Sequence, residues 1–478
     1  MLRFNRHGVT FIMILALEGC INLAPDYQRP ASDLPSDWKM PEGQSATTLG
    51  ATWWKIFDDP QLTRMVDEAL AHNANLAVAV ARVDEARALL GETRSGQFPT
   101  LDATYSRDRT QSSLRTATPL PPGAARQRDN YRGTLNLAYE LDLWGRLRNA
   151  TAAARSELLA TEAVQVTVRI ALAADVVQAY FALRSLDEQV AATQRSVISR
   201  GESLALQKKR YDAGVISEFE YLQLEAEELA ARAQLPALES RRTRQENALA
   251  VLLGRSPRAI YTGVVVVKAA TMDAPAKPQQ ALVVPVGLPS ELLLRRPDLF
   301  EAEQHMIAAN ARIGVARAAY FPSLSITGFF GGESAAMSDL FTGPAGTWQA
   351  AGALTQPIWN FGRVGSQVDA ASARQRQALA QYQLAIQNAF REVRDAIVAQ
   401  TKTREQFDAE DKRAATLRET LRLAKLRYRS GISSQLDVLD AERNLLAAEL
   451  NRSDALRAQR AAVADLFKAL GGGWNPGS

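Results

Sequence analysis

The chain has 478 residues, with 56 Lys plus Arg against 52 Asp plus Glu and a net charge of +4. So small an excess excludes a nucleic-acid binder, whose basic residues would be far more numerous and clustered. One cysteine and three histidines leave no disulfide framework and little material for a metal centre or a nucleophile.

The N-terminus carries Arg3, Arg6 and His7, then the apolar run Val9 to Leu17. About 9 apolar residues are too few for a bilayer span of about 20, and they read as the core of a signal peptide, residues 1–19. The only cysteine, Cys20, stands where such a peptide would be cut. One reading is a plain secretory peptide with an incidental cysteine. The other is a bacterial lipoprotein signal. Leu17-Glu18-Gly19-Cys20 resembles a lipobox, with Glu18 where a small residue is usual, and acyl chains on Cys20 would explain a cysteine that stands alone. Ile21, not an acidic residue, follows it, so by the same resemblance nothing retains the lipoprotein at the inner membrane. No other stretch reaches 18 consecutive apolar residues, so no membrane-spanning helix is expected in the mature chain.

Residues 20–57 read as an extended, acylated segment. From 58 to 254 the expected order is helix, two strands, very long helix, sharp turn and long return helix, and 289–471 repeats it. The first helix covers about 60–95 and its counterpart about 289–319, both rich in the good helix formers Ala, Leu, Glu and Arg. Strands are expected at 98–110 and 130–143, joined by the polar loop 111–129, and at 321–331 and 347–359, joined by a Gly- and Ser-rich loop. Trp144 to about Tyr211 contains no proline and almost no glycine, and Gly362 to Tyr428 has the same length. As helices these would be rods of ~100 Å at ~1.5 Å per residue, which must pack side by side as coiled coils. Turns fall near Gly214 and Gly431, where glycine supplies the positive φ that ends a helix. Pro236 should kink the first return helix. The proline-rich stretch 255–288, with the valine strand Val264 to Val267, is a connector expected to form a small mixed domain, and 472–478 is a tail.

The halves are copies. Arg210-Tyr211-Asp212-Ala213-Gly214-Val215-Ile216-Ser217 matches Arg427-Tyr428-Arg429-Ser430-Gly431-Ile432-Ser433-Ser434, an offset of 217. At that offset Leu222 meets Leu439, Glu225 meets Glu442, Leu253 meets Leu470 and Gly254 meets Gly471. Phe98-Pro99-Thr100-Leu101 echoes Phe321-Pro322-Ser323-Leu324 at a slightly longer offset, so the chain is an internal duplication.

In the strand at 130–143, Tyr131, Leu135, Leu137, Tyr139, Leu141 and Leu143 point one way, and Arg132, Thr134, Asn136, Glu140 and Asp142 the other. A half-buried soluble strand alternates too. Length at or beyond the ~9–11 residues of a membrane strand, aromatic residues near both ends and charges on the polar face favour a strand whose apolar side meets lipid. Four strands cannot close a barrel, and open edges are excluded from lipid, so the barrel must be shared between two, three or four copies.

With these motifs the sequence resembles the TolC-type outer-membrane factors, in the lipoprotein branch that serves resistance-nodulation-division efflux pumps. The resemblance rests on LAPDYQRP after the cysteine, WWKIFDDPQL at 53–62, RRPDLFEAEQHMIAANARIGVARAAYFPSL at 295–324, the two RY..G..S turns and LDVLDAER at 436–443. It implies a mainly α protein with membrane β: a homotrimer with a shared twelve-stranded barrel, continued by a periplasmic coiled-coil α-barrel with an equatorial domain. It also implies a periplasmic adaptor and an inner-membrane transporter as partners, with no cofactor. The turns, with Arg210, Gly214, Ser217, Arg427, Gly431 and Ser434, would be the adaptor-docking tip. By that resemblance Leu436 and Asp440 align with constricting residues and Tyr428 and Asp437 with a gating network, and Phe219, Glu220 and Gln223 are the first-half equivalents of Leu436, Asp437 and Asp440. Lys425, Arg427 and Arg429 are near enough in sequence to pair with the carboxylates, whose ring would otherwise repel itself.

An enzyme is the main rival class. His7 lies in the signal peptide, His72 and His305 lie in expected helices without neighbouring ligand residues, and no phosphate loop, zinc spacing or nucleophile elbow occurs. No catalytic or metal-binding residue is therefore expected. A periplasmic coiled-coil scaffold is a second rival, and the exit duct of a type I protein-secretion system the nearest alternative within channels.

Overall fold

A computed structural model describes residues 21–31, 33, 50–115, 117, 120–263 and 292–474. The expected signal peptide, Cys20, residues 264–288 of the connector with Val264 to Val267, and 475–478 lie outside the described residues. The chain divides into two compact units. One comprises Met1–Ala31, Val83–Thr161 and Ala302–Tyr382, the other Ser32–Arg82, Glu162–Glu301 and Gln383–Ser478.

In the first half, helices α1 (Pro60–His72) and α2 (Ala74–Ser95) lead to strands β1 (Thr100–Gln111) and β2 (Gln127–Leu141), then to α3 (Arg146–Asp212), α4 (Glu218–Leu252) and the short α5 (Pro257–Tyr261). The second half supplies α6 (Leu292–Arg295), α7 (Pro297–Ala318), β3 (Ser323–Ser334), β4 (Gly346–Thr355), α8 (Arg363–Arg429) and α9 (Gln435–Ala469). The duplication holds to the residue. α3 and α8 each have 67 residues and α4 and α9 each 35, displaced by the 217 that separates Arg146 from Arg363. α2 and α7 each have 22 residues and β1 and β3 each 12, displaced by the 223 that separates Ala74 from Pro297. The difference between the two offsets is taken up in the shorter second hairpin.

Pro236 does not interrupt α4, which runs as one helix through it. Ala231 and Leu238 on either side are buried, so packing holds the helix across the lost hydrogen bond. A second departure from expectation is that the first helix of each half breaks, at Asn73 and, 223 residues on, at Arg296. Asn73 has an extended backbone (ψ 128°). Its Oδ1 accepts from Asn75 N and Leu76 N, and its Nδ2 donates to the carbonyl of Leu252 at 2.9 Å. Arg296 Nη1 donates to the carbonyl of Ala469, also at 2.9 Å. Leu252 and Ala469 are the equivalent last residues of α4 and α9, so two unlike side chains satisfy the same orphan carbonyl. Gly254 and Gly471 (φ 70° and 87°) then reverse the chain, and a Cβ on either would overlap the carbonyl of His72 or Arg295.

In the second unit, a 3₁₀ turn at Trp53–Phe57 docks on the long helices. Trp53 stacks on Phe467 with ring centroids 4.9 Å apart, and Phe57 meets Phe181 edge-on at 4.9 Å. Asp59 caps α1 through Gln61 N and Leu62 N and accepts from Tyr180 Oη at 2.6 Å. Burial and that bond push the Tyr180 hydroxyl far above the usual phenol range, so it stays a donor. The WWKIFDDPQL stretch is thus a packing clamp. One 18-residue window within α3 reaches a mean hydropathy of 1.5 with half of it buried inside the chain, the apolar content expected of a rod that packs along its length.

In the first unit the four strands form one antiparallel sheet in the order β1-β2-β3-β4. Ala153, on α3, and Ala308 and Ala311, on α7, form a buried cluster of small side chains in the same unit.

Candidate functional site

The register carries the alternation of β2 across the whole sheet. Leu137 lies opposite Leu101 and Gly328, Leu135 opposite Ala103 and Phe330, Phe330 opposite Trp348, and Leu324 opposite Leu354. One face is therefore apolar, and Leu101, Tyr105, Leu135, Leu137, Phe330, Trp348 and Leu354 on it are exposed. On the other face Thr104 Oγ1 lies 2.9 Å from Thr134 Oγ1, Asn136 Nδ2 donates to Thr104 Oγ1 at 2.9 Å, and Arg132 sits 4.5 Å over the Phe329 ring. From Tyr131 to Leu141 the apolar band is on the order of 24 Å tall at ~3.4 Å per residue and ~45° tilt, against the ~25 Å of an outer-membrane barrel. Tyr131, with Arg107 5.3 Å over its ring, marks one end. Leu143 is a correction: β2 ends at Leu141, opposite Leu324, the last pair of that ladder. Beyond it Leu143 N turns back to Leu141 O, and Asp142 accepts from Arg148 N at the start of α3. Among the described residues, β1 and β4 each have a neighbour on one side only.

The N-terminal segment is tied to the same unit. Asn149 Nδ2 donates to Asn22 Oδ1 at 2.9 Å, Arg317 to Leu23 O at 3.2 Å and Asn310 Nδ2 to Pro25 O at 2.6 Å. Gly314 makes room for Ala24, whose Cβ would otherwise lie 2.8 Å from a side chain there. Buried Glu303 then accepts from Tyr27 Oη (2.9 Å), Arg29 Nε (2.7 Å) and Arg29 Nη2 (2.6 Å). Burial and Glu303 push the Tyr27 hydroxyl far above the usual phenol range. This latch was not read from the sequence. Its signal was Tyr27 and Arg29 within LAPDYQRP, two long donors at a spacing of two.

In the second unit the turns are paired motifs. Gly214 N donates to Tyr211 O and Val215 N to Arg210 O, and Gly431 N to Tyr428 O and Ile432 N to Arg427 O, at φ 71° and 72° for the glycines. Ser217 and Ser434 each cap a return helix with a full capping box. The carboxylates that complete these boxes are Glu220 and Asp437, which accept from the serine backbone N–H groups at 3.0 and 2.9 Å. Tyr428 Oη receives Arg210 Nη1 at 2.7 Å and buried Gln207 Nε2 at 2.8 Å, joining α8 to α3. Asp440 pairs with Arg443 at 2.7 Å, three residues along its own helix, and not with the expected Lys425, Arg427 or Arg429. Lys425 goes to buried Glu442 at 2.8 Å, while Arg427 and Arg429 are exposed. Leu436 and Phe219 stand exposed on the first turns of α9 and α4. No cluster of metal-ligating side chains occurs among the described residues.

Residues 65–255 and 288–472 match the family model described as outer membrane efflux protein. The chain belongs to that family. It is 36% identical to outer membrane protein OprJ of Pseudomonas aeruginosa, over 98% of this chain and 96% of the relative. The probable outer membrane lipoprotein SilC of Salmonella typhimurium is 32% identical, over 99% of this chain and all of that one. The solved structure of the CmeC outer membrane channel of Campylobacter jejuni superposes with a TM-score of 0.89 at 27% identity, covering 96% of both chains. The fold is therefore that of the TolC-like channels, and the protein is an outer-membrane efflux channel, the outer component of a tripartite pump, extending into the periplasm. The family is a transport component, with no enzymatic role indicated.

Proposed function

We propose that three copies pool their strands into a twelve-stranded barrel, that each is anchored by acyl chains on Cys20, and that the duct discharges small molecules handed on by a periplasmic adaptor and an inner-membrane resistance-nodulation-division transporter. One observation carries this reading: a four-stranded sheet with an exposed apolar face the height of a bilayer core and an open edge on each side. Unpaired amides in lipid cost several kcal/mol each, so the edges must meet other edges. The connector 255–288 would form the equatorial part. The turns carrying Arg210, Gly214, Ser217, Arg427, Gly431 and Ser434 would receive the adaptor.

Tyr428, with Arg210 and Gln207, would hold the mouth closed. Phe219, Leu436 and Asp440 would line it, and Glu220 and Asp437 would fix the turns that carry them. Tyr428→Phe, combined with Asp440→Ala, should raise single-channel conductance of the purified protein in planar bilayers. Unchanged conductance and unchanged antibiotic entry would remove these residues from the gate.

A further inference from the structure

The apolar face of the sheet carries charge at one end only. Among the charged residues of the four strands, Arg107, Arg109 and Asp129 share that face, and all the others fall on the polar one. Arg107 lies opposite Tyr131, and Arg109 and Asp129 lie beyond it, toward the hairpin end of β1 and β2. That end is remote from Leu141 and Thr355, after which the chain runs on to α3 and α8. With the helices in the periplasm, it faces the exterior. One carboxylate oxygen serves both cations: Asp129 Oδ1 is 3.4 Å from Arg107 Nη2 and 3.9 Å from Arg109 Nε. Two arginines against one aspartate leave a positive charge in excess, and both guanidinium side chains are more than half exposed.

One row below, the tip of the second hairpin folds back over the same face. Leu340, 1% exposed, lies over Gly133 and Gly332, which pair across β2 and β3. A Cβ on Gly332 would overlap the Leu340 carbonyl, so glycine here admits the tip. On the β1 side Tyr105 Oη donates to Met337 Sδ at 3.6 Å. Met337, Phe341 and Trp348 stay 48%, 86% and 74% exposed. Cations thus stand just above exposed apolar surface, which is the order of groups in a phosphorylated lipid.

We infer that this outer rim binds a phosphorylated lipid of the exterior leaflet, with its phosphate on Arg107 and Arg109 and an acyl chain against Met337 and Phe341. A guanidinium fork matches phosphate oxygens, and the Tyr131 ring holds Arg107 from below at 5.3 Å. The single aspartate aligns the two arginines without neutralising them. An acidic protein partner would not need an apolar shelf under the cations, and an aromatic girdle alone would not need the cations. The inference rests on the reading that the apolar face meets lipid, and adds the headgroup chemistry and the place where it is recognised.

Fluorescent lipopolysaccharide, a phosphorylated glycolipid, titrated into the full-length protein in non-ionic detergent tests this. Arg107→Gln and Arg109→Gln should each weaken binding about tenfold or more, the loss of one charge-assisted hydrogen bond. Arg128→Gln removes the same charge from the same hairpin end, but from the polar face opposite Thr110, and should bind like the parent. Phe341→Ser should weaken binding as well. Chemically dephosphorylated lipopolysaccharide should bind the parent no better than it binds Arg107→Gln. All four side chains are exposed, so the variants should melt with the parent, which is checked before titration. Equal losses in Arg128→Gln and Arg107→Gln, or undiminished binding of the dephosphorylated lipid, would overturn the site. Displacement by millimolar inorganic phosphate would overturn the lipid as its occupant. A protein that stays dispersed with no detergent would instead sink the reading of the apolar face as lipid-facing, whatever the arginines bind.

Discussion

Replacing Glu303 by alanine asks whether one buried carboxylate latches the N-terminal segment. Glu303 is 5% exposed and accepts three hydrogen bonds from Tyr27 and Arg29. Losing a buried partner of charged hydrogen bonds costs about 1.5–3 kcal/mol, and breaking a fully buried ion pair about 3–5 kcal/mol. Arg29 keeps 48% of its side chain in water, which screens the pair and lets the guanidinium rehydrate on release. The latch as a whole is then worth about 2–3 kcal/mol. The bonds at Asn22, Leu23 and Pro25 survive the change, so the loss is a local opening of residues 26–31 and not global unfolding. At ~1.4 kcal/mol per decade, the open population rises roughly 30- to 150-fold. Hydrogen exchange of the detergent-solubilised protein reads this directly from the amides of residues 21–31. Faster exchange confined to 26–31, with Glu303→Gln intermediate, is the expected result. Parent-like exchange in Glu303→Ala would show that the segment is held by its backbone bonds alone.

Gly471→Ala and Gly214→Ala share a positive φ but not an environment. At Gly214 nothing lies within 4 Å of a new Cβ, so the cost is the left-handed backbone alone, about 1–2 kcal/mol. At Gly471 the Cβ overlaps the carbonyl of Arg295, and added overpacking brings the loss to about 2–5 kcal/mol; equal shifts in denaturant midpoint would refute the packing account. Glu157 gives a pH test. The hydrogen bond from His305 (Nδ1 at 3.0 Å), with Arg312 at 2.9 Å, holds its carboxyl below the usual range. A depressed folded value means stability that is present above the unfolded carboxylate value and lost as pH falls through the folded one. Glu157→Gln should therefore flatten the fall in melting temperature between roughly pH 5 and pH 3, and an unaltered slope would count against the pair.

The duplication was legible because it is written in helix length: two proline-poor runs and two glycine turns at one offset need no tertiary information. The strand faces were legible for the same reason, period-two alternation being local. What escaped lies where one residue answers to a partner distant in sequence. Asn73 and Arg296 share no chemistry, yet both break a helix in order to reach the last carbonyl of a return helix. Leu143 continues the alternation of β2 but has no ladder partner beyond Leu324. Asp440 was expected to draw on Lys425, Arg427 or Arg429, but Arg443 is one helical turn away and needs no loop to bring it. Glu220 and Asp437 sit at the third position after a serine, a capping-box signal that was in the sequence and that the resemblance to a gate overshadowed.

Because the halves agree in length, positions where their chemistry differs show what packing alone does not require. Tyr211 stacks on Tyr221, with ring centroids 5.3 Å apart and planes 14° from parallel. Its counterpart Tyr428 finds Val438 where Tyr221 would be, and its hydroxyl instead joins α8 to α3 through Arg210 and Gln207. A ring stack can be undone only by exposing apolar surface. A hydroxyl link can be exchanged for water at a net cost of about 1 kcal/mol for the neutral bond and about 1.5–3 kcal/mol for the charged one. The proposed opening at the mouth should therefore begin on α8 and α9, whose contact at the turn is replaceable by solvent, while α3 and α4 stay clasped by their stacked tyrosines. A Tyr211→Phe change, which keeps the ring and removes a hydroxyl the stack does not use, should leave conductance untouched where Tyr428→Phe raises it. Equal effects of the two would mean that the asymmetry between the halves has no part in opening.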